Sequence, residues 1–156
     1  MTIFGSLPNL QVLKLFSKAF IGLEWQPNER EFLQLKYLRL HDIYLENWIA
    51  NSIHFPTLEH LVIDGCTSLK EIPSGIGEIP TLESIEVSNC SDSVLISAKQ
   101  IQEEQYGLGN DYLQVRIFTW LGKLIKFGFI DHDKDLVDNL CWDIFLKLDS
   151  QNLEDI

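Results

Sequence analysis

The apolar positions of this chain form a phrase that recurs four times. Residues 7–15 read LPNLQVLKL, 32–40 read FLQLKYLRL, 55–63 read FPTLEHLVI and 79–87 read IPTLESIEV. Each copy has an apolar residue, two others, Leu, two others, Leu or Ile, one other, and then an aliphatic. The copies start at Leu7, Phe32, Phe55 and Ile79, giving steps of 25, 23 and 24 residues. Self-similarity at this period predicts a solenoid, in which each copy is one short strand plus a return segment and only stacking buries its apolar face. The inward set is Leu10, Leu13 and Leu15, then Leu35, Leu38 and Leu40, then Leu58, Leu61 and Ile63, then Leu82, Ile85 and Val87.

Alternation along a strand turns the intervening residues outward. Lys14, Arg39, Val62 and Glu86 form the central outward column, flanked by Val12, Tyr37, His60 and Ser84 on one side and Phe16, His41, Asp64 and Ser88 on the other. The expected face is mixed, basic in its first two repeats and acidic in its last. Two return segments carry a tryptophan, Trp25 and Trp48, read as filling the gap behind the strands. The third, SLKEIPSGIGEIPTL, has Leu69 and Ile72 as core anchors, Pro73 and Pro80 as stops, and Gly75 and Gly77 easing tight turns. After Val87 the period fails. Val94 to Gln105 has helical spacing, Tyr106 to Asn110 reads as a turn, and Tyr112 to Phe118 alternates like a last strand. From Asp135 to Leu148 the apolar residues recur at three and four, predicting an amphipathic helix. Residues 119–130 are apolar and fit no element by pattern.

The period lies in the leucine-rich-repeat range. The expected fold is therefore an α/β leucine-rich-repeat solenoid with short parallel strands on the concave face, irregular or helical return segments and a C-terminal helix. Residues 1–117 form the repeat domain, of about four repeats plus a final strand, and residues 118–156 form an extension with an acidic amphipathic helix.

At 156 residues the chain suits one domain. Its net charge of −11 argues against nucleic acid and anionic membrane surfaces as partners. Residues 131–156 hold eight acids and two lysines, a solvated tail or helix face. Cys66 and Cys90 lie one period apart, each eight residues after Leu58 or Leu82. That is the Asn/Cys ladder position of this repeat class, where a small side chain turns inward to satisfy backbone groups. They are expected as structural, buried thiols, with a disulfide between neighbouring rungs about 5 Å apart as the alternative. The N-terminus lacks the features of a signal peptide, and the stretch from Phe118 to Ile130 is short and holds two lysines. No membrane insertion and a reducing cytoplasmic location are expected. The sequon at Asn89-Cys90-Ser91 is discounted because it overlaps the ladder.

Three stretches carry a resemblance beyond the repeat itself. They are LPNLQVLKL with GLEW, the run HFPTLEHLVIDGCTSLKEIPSGIGEIPTLESIEVSNCSDSVLISAKQIQEEQ, and YGLGNDYLQVRI. Together they resemble the C-terminal repeats of plant coiled-coil, nucleotide-binding, leucine-rich-repeat disease resistance proteins, in particular the nightshade-family late blight resistance proteins. The resemblance covers about residues 3–117. It implies recognition of a pathogen effector or a guarded host protein, restraint of a nucleotide-binding switch domain, and a role in defence and hypersensitive cell death. The pattern departs from the family in having no coiled coil and no phosphate-binding loop. Gly122-Lys123 precedes Leu rather than Ser or Thr, and Ile130-Asp131-His132-Asp133 lacks the family's Met-His-Asp. Residues 118–156 resemble nothing in the family. A truncated gene copy, or a retained intron at its end, accounts for both departures.

A convergent catalytic site is not legible, so the chain is expected not to be an enzyme; a small hydrolase in the C-terminal extension is the remote exception. His41 and His60 lie on neighbouring strands within possible reach of each other, but no ligand sits at metal spacing beside them. The glycine pairs at 75 and 77 and at 107 and 109 read as turns. No cofactor or metal is expected. The protein-binding residues expected on the concave face are Lys14, Phe16, Tyr37, Arg39, His41, His60, Val62, Asp64 and Glu86. Their partner would be an effector, a guarded host protein or a receptor nucleotide-binding domain. A general cytoplasmic repeat adaptor, such as a ubiquitin-ligase substrate-recognition arm, is the alternative, though no N-terminal adaptor-binding helical box is present. Self-association through the apolar side of Leu10, Leu13 and Leu15 is also expected at the N-terminal edge. The 156-residue chain should not bind ATP, because it lacks the groups that cradle phosphates. Calorimetry with millimolar ATP and magnesium should give no saturable heat, and one site per chain would refute this.

Overall fold

The computed structural model describes residues 2–19, 22–118, 124 and 125. In chain order it comprises α1 (Thr2–Gly5), β1 (Val12–Phe16), a 3-10 turn (Ser17–Ala19), β2 (Glu24–Trp25), β3 (Tyr37–His41) and β4 (Asn47–Trp48). There follow β5 (His60–Asp64), a 3-10 turn (Ser74–Ile76), β6 (Ser84–Ser88), α2 (Asp92–Gly107), β7 (Gln114–Phe118) and β8 (Leu124–Ile125). The main sheet runs β1-β3-β5-β6-β7-β8, parallel throughout except for the antiparallel β7–β8 pair. It is a leucine-rich-repeat solenoid, as the period predicts.

Burial follows the alternation. Leu38, Leu61, Ile85 and their partners two residues on, Leu40, Ile63 and Val87, are almost wholly buried, while the residues between them reach solvent. Leu13 and Leu15 are also buried, at 6% and 3% exposure, and Leu10 is half-buried. The bare apolar edge expected at β1 is thus not made by Leu13 and Leu15. Leu7, Val12 and Phe16 are its exposed apolar residues.

Every repeat must leave its strand by the same sharp bend, and the residue that follows each of β1, β3, β5 and β6 has a positive φ. These are Ser17 (22°), Asp42 (51°), Gly65 (69°) and Asn89 (53°). Asp, Asn and Gly are the residue types that tolerate the left-handed region. At Gly65 a side chain would also collide with the Asp42 carboxylate of the preceding turn. Threonines tie successive turns together. Thr57 Oγ1 donates to the carbonyls of Leu33 and Leu35, at 3.0 and 3.2 Å, and Thr81 Oγ1 to that of Leu58 at 2.8 Å. This is the physical role of the repeated Pro-Thr-Leu.

Behind the strands, β2 and β4 form a second parallel ladder that pairs Trp25 with Trp48. Their rings stack with centroids 5.6 Å apart and planes 4° from parallel. Phe32 and Phe55, the leading apolar residues of repeats two and three, stack at 5.4 Å, and both meet Trp25 edge-on. Each such pair contributes about 0.5–1.5 kcal/mol beyond its buried area. In the third turn Leu69 and Ile72 take over this space. The fourth turn uses α2 instead, burying Val94, Ser97, Ala98 and Ile101. Ser97 Oγ accepts the Ile72 amide at 2.9 Å, which satisfies a backbone donor that the next repeat's ladder would otherwise have to meet.

Three local expectations need refinement. Gly75 and Gly77 do lie in and at the end of a tight 3-10 turn, but neither has a positive φ. A Cβ at Gly75 would lie 2.8 Å from Asn51 Cβ, and one at Gly77 2.6 Å from Ile101 Cγ2, so the two glycines permit close packing. The helix extends two residues beyond Val94 to Gln105 at each end and includes Tyr106 and Gly107, which leaves the turn to Leu108 onward, with Gly109 at φ 85°. The last strand starts at Gln114 rather than Tyr112. The predicted helix at 135–148, the charge run at 131–156, and residues Cys141 and His132 lie outside the described residues.

Leu61→Ala should lower unfolding stability by about 2–5 kcal/mol, because Leu61 is fully buried in the middle strand of the stack. Val62→Ala should change it far less, since Val62 faces solvent. Urea titration of both variants checks this, and equal losses would contradict the strand register.

Candidate functional site

The register sets three outward columns across five strands. The centre reads Lys14, Arg39, Val62, Glu86 and Arg116. One flank reads Val12, Tyr37, His60, Ser84 and Gln114, and the other Phe16, His41, Asp64, Ser88 and Phe118. Short parallel strands present these side chains at a spacing of about 5 Å between neighbours.

Asp64 is the hub of the second flank. Its Oδ2 accepts from Arg39 Nη2 at 3.1 Å and lies 2.9 Å from His41 Nδ1. Its Oδ1 accepts from Ser88 Oγ at 2.8 Å and from Asn89 Nδ2 at 3.3 Å. Four side chains from the two neighbouring turns therefore converge on one carboxylate, and Asn89 is also the left-handed bend that follows β6. Burial pushes the Asp64 carboxyl upward, but the hydrogen bonds from Ser88, His41 and Asn89 outweigh it and hold the group below its ordinary value of 3.8. His41 Nε2 also lies 3.4 Å from Asp42 Oδ2, and its ring meets Phe16 edge-on at 5.6 Å.

On the other flank Lys14 Nζ sits 5.6 Å over the Tyr37 ring, and the Tyr37 and His60 rings lie 6.5 Å apart. His60 Nδ1 is 2.9 Å from Ser84 Oγ. The last rung is less acidic than the sequence suggested, because Arg116 Nη1 donates to Glu86 Oε1 at 3.0 Å. Between these groups the face is hollowed into a cavity of about 550 Å³. Tyr37, His60, Val62 and Glu83 line it from one side, Tyr112, Gln114 and Arg116 from the other.

Tyr112, Gln114 and Arg116 escaped the sequence reading of the face. The signal was the alternation of YLQVRIF, but the step from Glu86 to Arg116 is 30 residues where that from Val62 to Glu86 is 24. His41 and His60 do not approach each other. The ladder opposes His41 to Asp64 and His60 to Tyr37, which sets the two histidines at opposite ends of neighbouring strands. His54 is buried off the face, its Nδ1 accepting the Asn51 amide at 3.1 Å. Among the described residues no three His, Cys, Asp or Glu side chains could hold a metal ion, and no helix is long and apolar enough to cross a membrane.

Cys66 and Cys90 are free thiols that point back at the preceding turn. Cys66 Sγ lies 3.6 Å from the Leu40 carbonyl, and Cys90 Sγ lies 3.6 Å from that of Ile63 and 3.1 Å from that of Ser88. Cys66 is buried, whereas Cys90 is only half-buried. Burial pushes both thiols up, Cys90 to about 12, so both stay protonated at neutral pH as ladder donors.

Because the folded Asp64 value lies below the unfolded one, its ionised form stabilises the fold above that unfolded value. The contribution is lost as pH falls through the lower, folded value. Asp64→Asn should therefore cost about 2 kcal/mol at neutral pH, the scale of a hydrogen bond to a charged group. The difference from the parent chain should shrink as pH drops below 3.8. Urea unfolding across pH 2–7 measures this, and a constant difference would refute it.

No protein-family model matches the chain. Over 100 residues, 64% of its length, it is 47% identical to each of two late blight resistance protein homologs of Solanum demissum, of which it spans 8%. Over 134 residues, 85% of its length, it is 39% identical to a third such homolog and spans 17% of it. The chain is a leucine-rich-repeat solenoid that over most of its length is similar to part of the late blight resistance protein homologs of Solanum demissum.

Proposed function

We propose that the chain is a protein-binding module of plant disease resistance, recognising a pathogen effector or a guarded host protein, or holding a receptor's nucleotide-binding domain inactive. The carrying observation is the five-strand face, with side chains of both charges, aromatic rings and an open hollow fixed on a regular ladder. Such a surface suits recognition of another protein by many separate contacts. Lys14, Phe16, Tyr37, Arg39, His41, His60, Val62, Asp64 and Glu86 are the contact residues in this reading, to which Tyr112, Gln114 and Arg116 are added. Cys66 and Cys90 hold the ladder and do no chemistry. The relatives' designation as late blight resistance protein homologs supports the defence role, and the solenoid favours recognition without catalysis. We place the protein in the cytoplasm, with residues 1–117 as the repeat unit and 118–156 as an extension.

Biolayer interferometry of the chain should detect micromolar or tighter binding either to an effector from a panel secreted by the late blight pathogen or to a nucleotide-binding domain of a Solanum demissum relative. The double variant Lys14→Glu, Val62→Arg should weaken it at least about tenfold. Tyr44→Ala, on an exposed return segment, should not. Binding to neither class, or equal loss from Tyr44→Ala, would overturn the proposal.

A further inference from the structure

The hollow on the strand face has unequal claims on its charges. Arg116 is spoken for, because its two terminal nitrogens donate to Glu86 Oε1 at 3.0 Å and to Gln114 Oε1 at 2.6 Å. An arriving anion would meet a guanidinium already neutralised, with the Glu83 carboxylate close by. His60 offers little more, since its Nδ1 is taken up with Ser84 Oγ. Glu83 is different. Its side chain is 68% exposed, and His60 Nε2, at 4.0 Å from its Oε2, lies beyond hydrogen-bond length.

Two aromatic rings line the same space. Tyr37 carries the Lys14 ammonium over its ring at 5.6 Å, a cation–π arrangement. Tyr112 is 83% exposed and leaves its ring free for contact. The cavity volume of about 550 Å³ falls in the range of roughly 300–1,000 Å³ usual for ligand clefts. The chain's net charge of −11 adds a long-range bias in the same direction.

We infer that this hollow is a subsite for a cationic side chain, arginine or lysine, of a protein segment lying across the strands. Glu83 takes the charge, and Tyr37 and Tyr112 flank the aliphatic stem and the cationic head. Arginine is favoured over lysine, because its planar group stacks on tyrosine while hydrogen-bonding at its edge. The inference rests on the protein-binding reading above and specifies the chemistry of the partner.

The test is an amide NMR titration of the whole chain with three capped tripeptides, Ala-Arg-Ala, Ala-Lys-Ala and Ala-Glu-Ala. The arginine peptide should shift the amides of residues 83–86, 112, 114 and 116 saturably at low salt, the lysine peptide less so and the glutamate peptide not at all. Glu83→Gln and Tyr112→Ala should each weaken the arginine response at least fivefold while leaving the remaining spectrum folded. Saturable binding of the glutamate peptide at these amides would overturn the inference and make the hollow an anion site. So would shifts scattered evenly along the face, no saturation, or variants that bind as the parent does. Partner binding that survives such a failure would leave the protein-binding reading intact, which separates the two.

Discussion

Everything in this molecule depends on burying leucine columns that no single repeat can bury. A lone copy of the phrase has an apolar triplet on one side of a five-residue strand and nothing to cover it. Stacked in register, Leu38, Leu61 and Ile85 cover one another, and each strand satisfies the backbone of the next. The register must then be identical in every turn, because a slip of one residue would turn the leucines outward. The left-handed exit at Ser17, Asp42, Gly65 and Asn89 and the threonine ties at Thr57 and Thr81 serve that requirement.

The same regularity gives the exposed face its character. A parallel ladder places like-numbered positions side by side, so a charge on one strand is answered by the next strand or not at all. Arg39 finds Asp64 diagonally, and Glu86 finds Arg116 directly across the ladder. Residues that satisfy one another in this way stiffen the surface and leave fewer charges open to a partner. What remains available is a small set of aromatic rings, one lysine already resting on tyrosine, and a glutamate at the margin of the hollow.

The leucine triplets were legible in the sequence because burial in a solenoid demands one residue type at one spacing. The outward columns followed from them by alternation alone, down to the pairing of His41 with Asp64 across the ladder. The ladder cysteines could be placed for the same reason. Contacts between turns that share no motif were not legible. Gly75 faces Asn51, and Gly77 faces Ile101 in the helix, and in each case the cause is a neighbour that the local sequence does not mention. The proximity expected of His41 and His60 failed because adjacency of strands says nothing about position along them. Arg116 was missed because α2 lengthens the last step, and a rule built on constant period cannot see across a changed one. The short ladder of β2 and β4 was invisible as well, since two residues carry no periodicity.

The filling behind the strands changes from turn to turn, and that has a geometric result. Hydrogen bonding fixes the separation of neighbouring strands at the front, near 5 Å. Nothing comparable fixes the back, where stacked indoles give way to leucine and isoleucine and then to a helix. The angle between successive turns is set by that difference in width. The shape of the strand face is therefore governed by side chains such as Trp25 and Trp48 that lie behind it. The curvature of the strand face can be retuned from its far side, by altering the thickness of a wedge rather than any residue on the face itself.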